Sequence, residues 1–122
     1  MSGRLTTHVL DLSRGVPAAG LVLQLWKLGG DGGKLLQEAV TNTDGRLDAP
    51  LLEGPSMHAG SYELLFMAGD YFRELSGEDG GQSAGGFFLE QIPIRFNIGN
   101  IEEHYHVPLL VAPGGYSTYR GS

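Results

Sequence analysis

Two histidines separated by a single residue set the first chemical possibility in this sequence. His104 and His106 lie in HYHVPLLVAPGGYSTYRGS, residues 104–122. In a strand they share one face, while Tyr105, Val107, Leu109 and Val111 take the other. A neutral imidazole titrates at about pH 6.5 and accepts a proton from water at neutral pH, so the pair suits acid–base chemistry. Alternate histidines on a strand also serve as metal ligands or as plain solvated side chains. A metal needs a third ligand, such as His8 or a distant carboxylate, and the sequence has no HExxH spacing. Further polar candidates stand apart: His8 within an apolar run, Arg46 after Asp44-Gly45, and the group Tyr119, Arg120, Ser122. Spacing alone does not join them. Taken singly, His8 reads as a hydrogen-bonded strand residue, Arg46 as an ordinary surface arginine, and His58 as a loop residue.

The elements that must position these groups read as strands. At 122 residues the chain suits a single domain spanning 1–122 with one core. Glycine supplies 20 residues, more than twice its usual share, which favours turns and short strands over long helices. Residues 5–12, 21–28, 35–43 and 61–67 read as strands, with GGDGG as the hairpin connection after the second. Residues 87–98 give the clearest alternation: Phe88, Ile92, Ile94, Phe96 and Ile98 share one parity, and Pro93 favours an edge position or a bulge. After 104–112, Pro113-Gly114-Gly115 turns the chain and residues 116–120 return. Residues 68–75 hold one short helical turn with Asp70 as its cap, and 76–86 have the composition of a loop. The sum is seven or eight short strands, an all-β sandwich, since no helical pattern is long enough for a crossover between parallel strands.

Several function classes recede on composition. The formal charge of −6 argues against a nucleic-acid partner, while leaving room for a locally positive pocket. No stretch approaches the roughly eighteen apolar residues of a membrane span. The opening MSGRLTTHVLDL lacks the apolar run of a signal peptide, so a cytoplasmic protein is expected. The absence of cysteine leaves neither disulfide framework nor thiolate. No GxSxG elbow, P-loop or dinucleotide fingerprint is present.

Together LTTHVLDLSRGVPAAG, TNTDGR, FFLEQIPIRF and HYHVPLLVAPGGYSTYRGS resemble the 5-hydroxyisourate hydrolases, a branch of the transthyretin-like family. YRGS is the most specific element. The resemblance covers the whole chain and implies a transthyretin-like (prealbumin-like) β-sandwich of about eight strands with one short helix. It implies a homotetramer, a dimer of dimers, with active sites at the dimer–dimer interface. The implied reaction hydrolyses 5-hydroxyisourate at its C6 amide to 2-oxo-4-hydroxy-4-carboxy-5-ureidoimidazoline, without metal or organic cofactor. By the same resemblance, His8, Arg46, His106 and Ser122 are catalytic, and His8, Arg46, Tyr119 and Arg120 bind substrate. His104 is the competing assignment for the second histidine. The alternatives are a non-catalytic small-ligand carrier on the same sandwich and a β-sandwich interaction module, because a fold alone fixes no function.

Overall fold

Alternation in RLTTHVLD builds β1 (Arg4–Asp11), whose Leu5, Thr7, Val9 and Asp11 point inward and are buried. A computed structural model describes residues 3–77 and 87–121 of the chain. Its further strands are β2 (Val16–Pro17), β3 (Val22–Lys27), β4 (Lys34–Val40), β5 (Leu52–Glu53), β6 (Gly60–Phe66), β7 (Ile92–Ile98), β8 (His104–Ala112) and β9 (Gly115–Thr118). One sheet runs β2-β1-β8-β9, with β5 added to β1; the other runs β4-β3-β6-β7. The two pack as a sandwich. Between them Leu5, Val9, Leu109 and Val111 meet Leu23, Leu25, Tyr62, Leu64, Phe66 and Ile92 in the core. Burial of such side chains is the main stabilising term, at about 1.5–3 kcal/mol each.

The fold is therefore the expected transthyretin-like sandwich, with differences in detail. β1 and β8 pair in parallel, Arg4 opposite His104 through Asp11 opposite Val111. The argument from missing helical crossovers did not anticipate this, because the connection between them is the entire second sheet rather than a helix. β7 begins at Ile92, so Phe88 lies outside it and is 85% exposed. The reason is local: opposite Ile92, β6 ends at Phe66 and the chain turns into helix α1 (Ala68–Ser76), leaving residues 87–91 no strand to pair with. They are tied to the helix instead, through Gly69 N donating to Glu90 O at 2.8 Å and the Arg73–Glu90 ion pair. α1 is longer than one turn. Asp70 sits within its first turn and pairs with Arg73 rather than capping it. As Pro93 suggested, β7 is an edge strand. Most of the expected loop at 76–86 lies outside the described residues.

The inward polar residues of β1 are all paired. Thr7 donates to Val107 O at 2.7 Å. Asp11, whose side chain has 0% exposure, accepts from Ser13 N at 2.9 Å, Tyr71 OH at 2.8 Å and Arg14 Nε at 3.1 Å. Burial alone would raise the Asp11 pKa, but the bonds from Ser13, Tyr71 and Arg14 outweigh it and hold the carboxyl below its ordinary range. This network fastens α1 to the end of β1. Asp11→Ala leaves the buried Tyr71 hydroxyl without its acceptor, and urea unfolding should show a loss of about 2–4 kcal/mol.

Candidate active site

The outer face of the β1–β8 pair carries the polar residues. Thr6 stands opposite His106, Arg4 opposite His104, and His8 opposite Pro108, one pleat along from His106. Their inward neighbours Leu5, Val9, Tyr105 and Val107 are buried, so packing of the core dictates which way the histidines face. All three of these imidazoles are half-buried.

Arg46 reaches this face through the tight turn at residues 42–46. Asn42 Oδ1 accepts from Asp44 N at 2.9 Å and Arg46 N at 3.1 Å, and Asn42 O accepts from Gly45 N at 2.9 Å. Gly45 has φ +75°, and any Cβ there would collide with the Val9 carbonyl oxygen. That close approach lets Val9 N donate to Gly45 O at 2.8 Å and brings Arg46 into a backbone bridge with His8. The turn also fixes a proton. Asp44 O lies 3.1 Å from His8 Nε2 and can only accept, so Nε2 carries the hydrogen and Nδ1 is the basic nitrogen of the neutral ring.

The segment after β9 closes on β8. Gly121 N donates to His106 O at 2.8 Å. A Cβ at Gly121 would lie 2.6 Å from His106 Cδ2, so glycine is what permits the ring to lie across the strand. Arg120 turns away from the histidine side chains: its guanidinium sits 4.2 Å from the Tyr105 ring centroid and donates to Glu103 Oε1 at 3.0 Å and His104 O at 3.2 Å. Tyr119 is exposed and lines a cleft of ≈ 300 Å³ with Ile94, Phe96, Tyr105 and Thr118. The structure therefore brings together His8, Arg46 and His106, and sets Tyr119 and the Arg120 guanidinium on the β7–β9 side. Ser122 lies outside the described residues. Further clefts of ≈ 490 and ≈ 290 Å³ are likewise lined by other residues than the histidine group.

Desolvation is the first cause lowering the pKa of His8 and of His106, and the charge of Arg46 lowers both further. His104 and His8 also act on His106. His104 is lowered by desolvation, Arg4 and Arg120. Neutral imidazoles facing an arginine can take a proton from water and meet the negative charge that develops when water adds to a carbonyl. Among the described residues no group of three histidine or carboxylate side chains converges as a metal site.

Residues 5–121 match the HIUase/Transthyretin family. The chain belongs to this family. It is 57% identical over 124 residues to the 5-hydroxyisourate hydrolase of Halalkalibacterium halodurans, covering all of both chains. Among solved structures it resembles the 5-hydroxyisourate hydrolase of Klebsiella pneumoniae, at 37% identity and a TM-score of 0.79 over the whole of both chains. It also resembles an (S)-allantoin synthase, at 44% identity and a TM-score of 0.88, spanning 44% of that longer chain.

Sequence reasoning missed Thr6, the Asp44 carbonyl and Gly121. Thr6 shares the parity of His8, which was legible, but its position beside the HYH pair depends on a register between strands about a hundred residues apart. The lowered histidines give a direct check: NMR titration should find the midpoints of the His8 and His106 imidazoles below that of an ordinary histidine, so that both are mainly neutral at neutral pH.

Proposed function

We propose that this chain hydrolyses 5-hydroxyisourate to 2-oxo-4-hydroxy-4-carboxy-5-ureidoimidazoline, with His8, Arg46 and His106 as its catalytic group. The observation that carries the reading is the convergence of these side chains on one face, in a chain alike over its full length to a 5-hydroxyisourate hydrolase. His106, neutral and turned toward His8 and Arg46, takes a proton from water as the water oxygen bonds to C6 of the substrate. Arg46 donates to the oxygen that becomes negative in the tetrahedral intermediate. The bond from C6 to the ring nitrogen then breaks, the nitrogen takes up a proton, and the new carboxylate leaves with the opened ring. His8, its Nε2–H held by Asp44, offers Nδ1 to orient the water or substrate. No metal or organic cofactor takes part in this scheme.

The site is completed by association. The histidine face of a single chain is an open sheet surface, and hydrolysis gains from excluding bulk water. A homotetramer, a dimer of dimers with this face at the dimer–dimer interface, supplies that cover. In that assembly Ser122 holds substrate or water in register, and Tyr119, on the β7–β9 side of its own chain, does so only at a neighbouring subunit's site; proximity lowers the barrier only while register is kept. The Arg120 guanidinium acts chiefly by anchoring the segment that carries them, through Tyr105 and Glu103.

Freshly generated 5-hydroxyisourate tests the proposal, since its spontaneous decay is the baseline. The protein should accelerate that decay, and Arg46→Ala and His106→Ala should each lower kcat/KM by about a hundredfold or more. Decay at the spontaneous rate, or an unimpaired His106→Ala, overturns it. Light scattering should give four times the 13.0 kDa of one chain, and a monomer would contradict the assembled site.

A further inference from the structure

Thr6 is bonded to both histidines of β8. Its Oγ1 lies 2.8 Å from His104 Nε2 and 2.8 Å from His106 Nδ1. A hydroxyl has a single hydrogen, so two close imidazole nitrogens cannot both receive it. At most one ring accepts from Oγ1, and the connected arrangement is the one in which the other donates to it. In the two arrangements that run through the hydroxyl hydrogen the neutral rings share a tautomer: both carry hydrogen on Nδ1 or both carry it on Nε2. Of the mixed pairs, two bare nitrogens leave one ring without a donor, whereas two N–H groups can both donate to the lone pairs of Oγ1 but leave no bond from the hydroxyl to either ring.

We propose that Thr6 is a positioning residue that joins His104 to His106 as a proton wire, so that a proton entering at His106 Nε2 is matched by one leaving at His104 Nδ1. The inference rests on the hydrolytic reading above for the source of that proton. In the starting state His106 Nδ1–H donates to Oγ1, and Oγ1–H donates to His104 Nε2. As water bonds to C6, its proton goes to His106 Nε2. The Nδ1 hydrogen passes to Oγ1, the hydroxyl hydrogen passes to His104 Nε2, and His104 Nδ1 releases a proton to solvent. Both rings are again neutral, and His106 now bears hydrogen on Nε2. That hydrogen is what the departing ring nitrogen requires when its bond to C6 breaks. The wire then runs backward, with His104 Nδ1 taking a proton from solvent.

The surroundings favour such a device over storing the charge. Arg4 from β1, Arg46 from the 42–46 turn and Arg120 from beyond β9 all disfavour an imidazolium on this face. The carboxylate of Glu103, next to β8, is engaged by Arg120, and His8 is itself held neutral beside Arg46. A wire lets His106 serve as base and then as acid without a lasting positive charge beside these arginines. It also gives His104 a function distinct from that of His106.

Nitrogen-15 shifts of the imidazoles test the coupling on the unliganded full-length protein, independently of turnover. His104 and His106 should share their major tautomer in the wild type, and Thr6→Val should let them differ. Opposite major tautomers in the wild type overturn the wire. For turnover, Thr6→Val should lower kcat about 10- to 100-fold with KM within about twofold, Thr6→Ser should restore kcat to within about threefold, and His104→Gln should match Thr6→Val without adding to it. Equal losses in the valine and serine variants, or a Thr6→Val kcat within about twofold of wild type, also overturn it. A wild-type protein that fails to accelerate the decay of 5-hydroxyisourate defeats the hydrolytic reading, while the tautomer measurement still decides whether the rings are coupled.

Discussion

The parallel ladder between β1 and β8 is the constraint on which the rest of this structure depends. Its register places Leu5, Val9, Leu109 and Val111 in the core and, by the same alternation, Thr6, His8, His104 and His106 on the outer face. The two sets cannot be separated. A slip of one residue would bury the histidines and expose the leucines, so the apolar energy of the core also enforces the chemistry of the surface. Thr7, bonded from β1 to the Val107 carbonyl, penalises the same slip from within.

Charge on this face runs against that of the molecule. The chain carries a formal charge of −6, yet Arg4, Arg46 and Arg120 all act on the outer histidines of β1 and β8. Local positive charge does two things at once. It adds to desolvation in keeping the imidazoles in their basic form, and under the proposed hydrolysis Arg46 also donates to negative charge that develops on substrate oxygen. A lysine-poor, arginine-bearing face suits a planar heterocycle rich in carbonyl groups, because the guanidinium fork is rigid and always charged.

Much of this was legible in the sequence, and what was not has a common physical cause. The parity of HYHVPLLV identified the face of β8, the Asp44-Gly45 pair identified the turn, and Pro93 identified an edge, because each depends on a few consecutive residues. Phe88 shows the limit of such reasoning. Its alternation with Ile92 was genuine, but a strand needs a partner, and β6 had already ended at Phe66. The direction of Arg120 was likewise out of reach, since it depends on Tyr105 and Glu103 converging from β8 and its approach. Thr6 is the clearest instance: an unremarked β-branched residue becomes the bridge between two histidines only once strands with sequence separations of 98 and 100 residues are in register.

That separation has a kinetic meaning. The β3–β4 hairpin closes over a short loop, whereas the β1–β8 ladder must bring together segments at opposite ends of the described chain. Loop-closure entropy opposes such pairing until nearby structure rewards it, and topologies dominated by non-local contacts fold on the slower millisecond-to-second scale. The ladder is thus expected among the late events of folding, after β3, β4, β6 and β7 have provided a sheet to dock on. Because the histidine face exists only when that ladder does, a partly folded chain holds most of its local structure and none of that face.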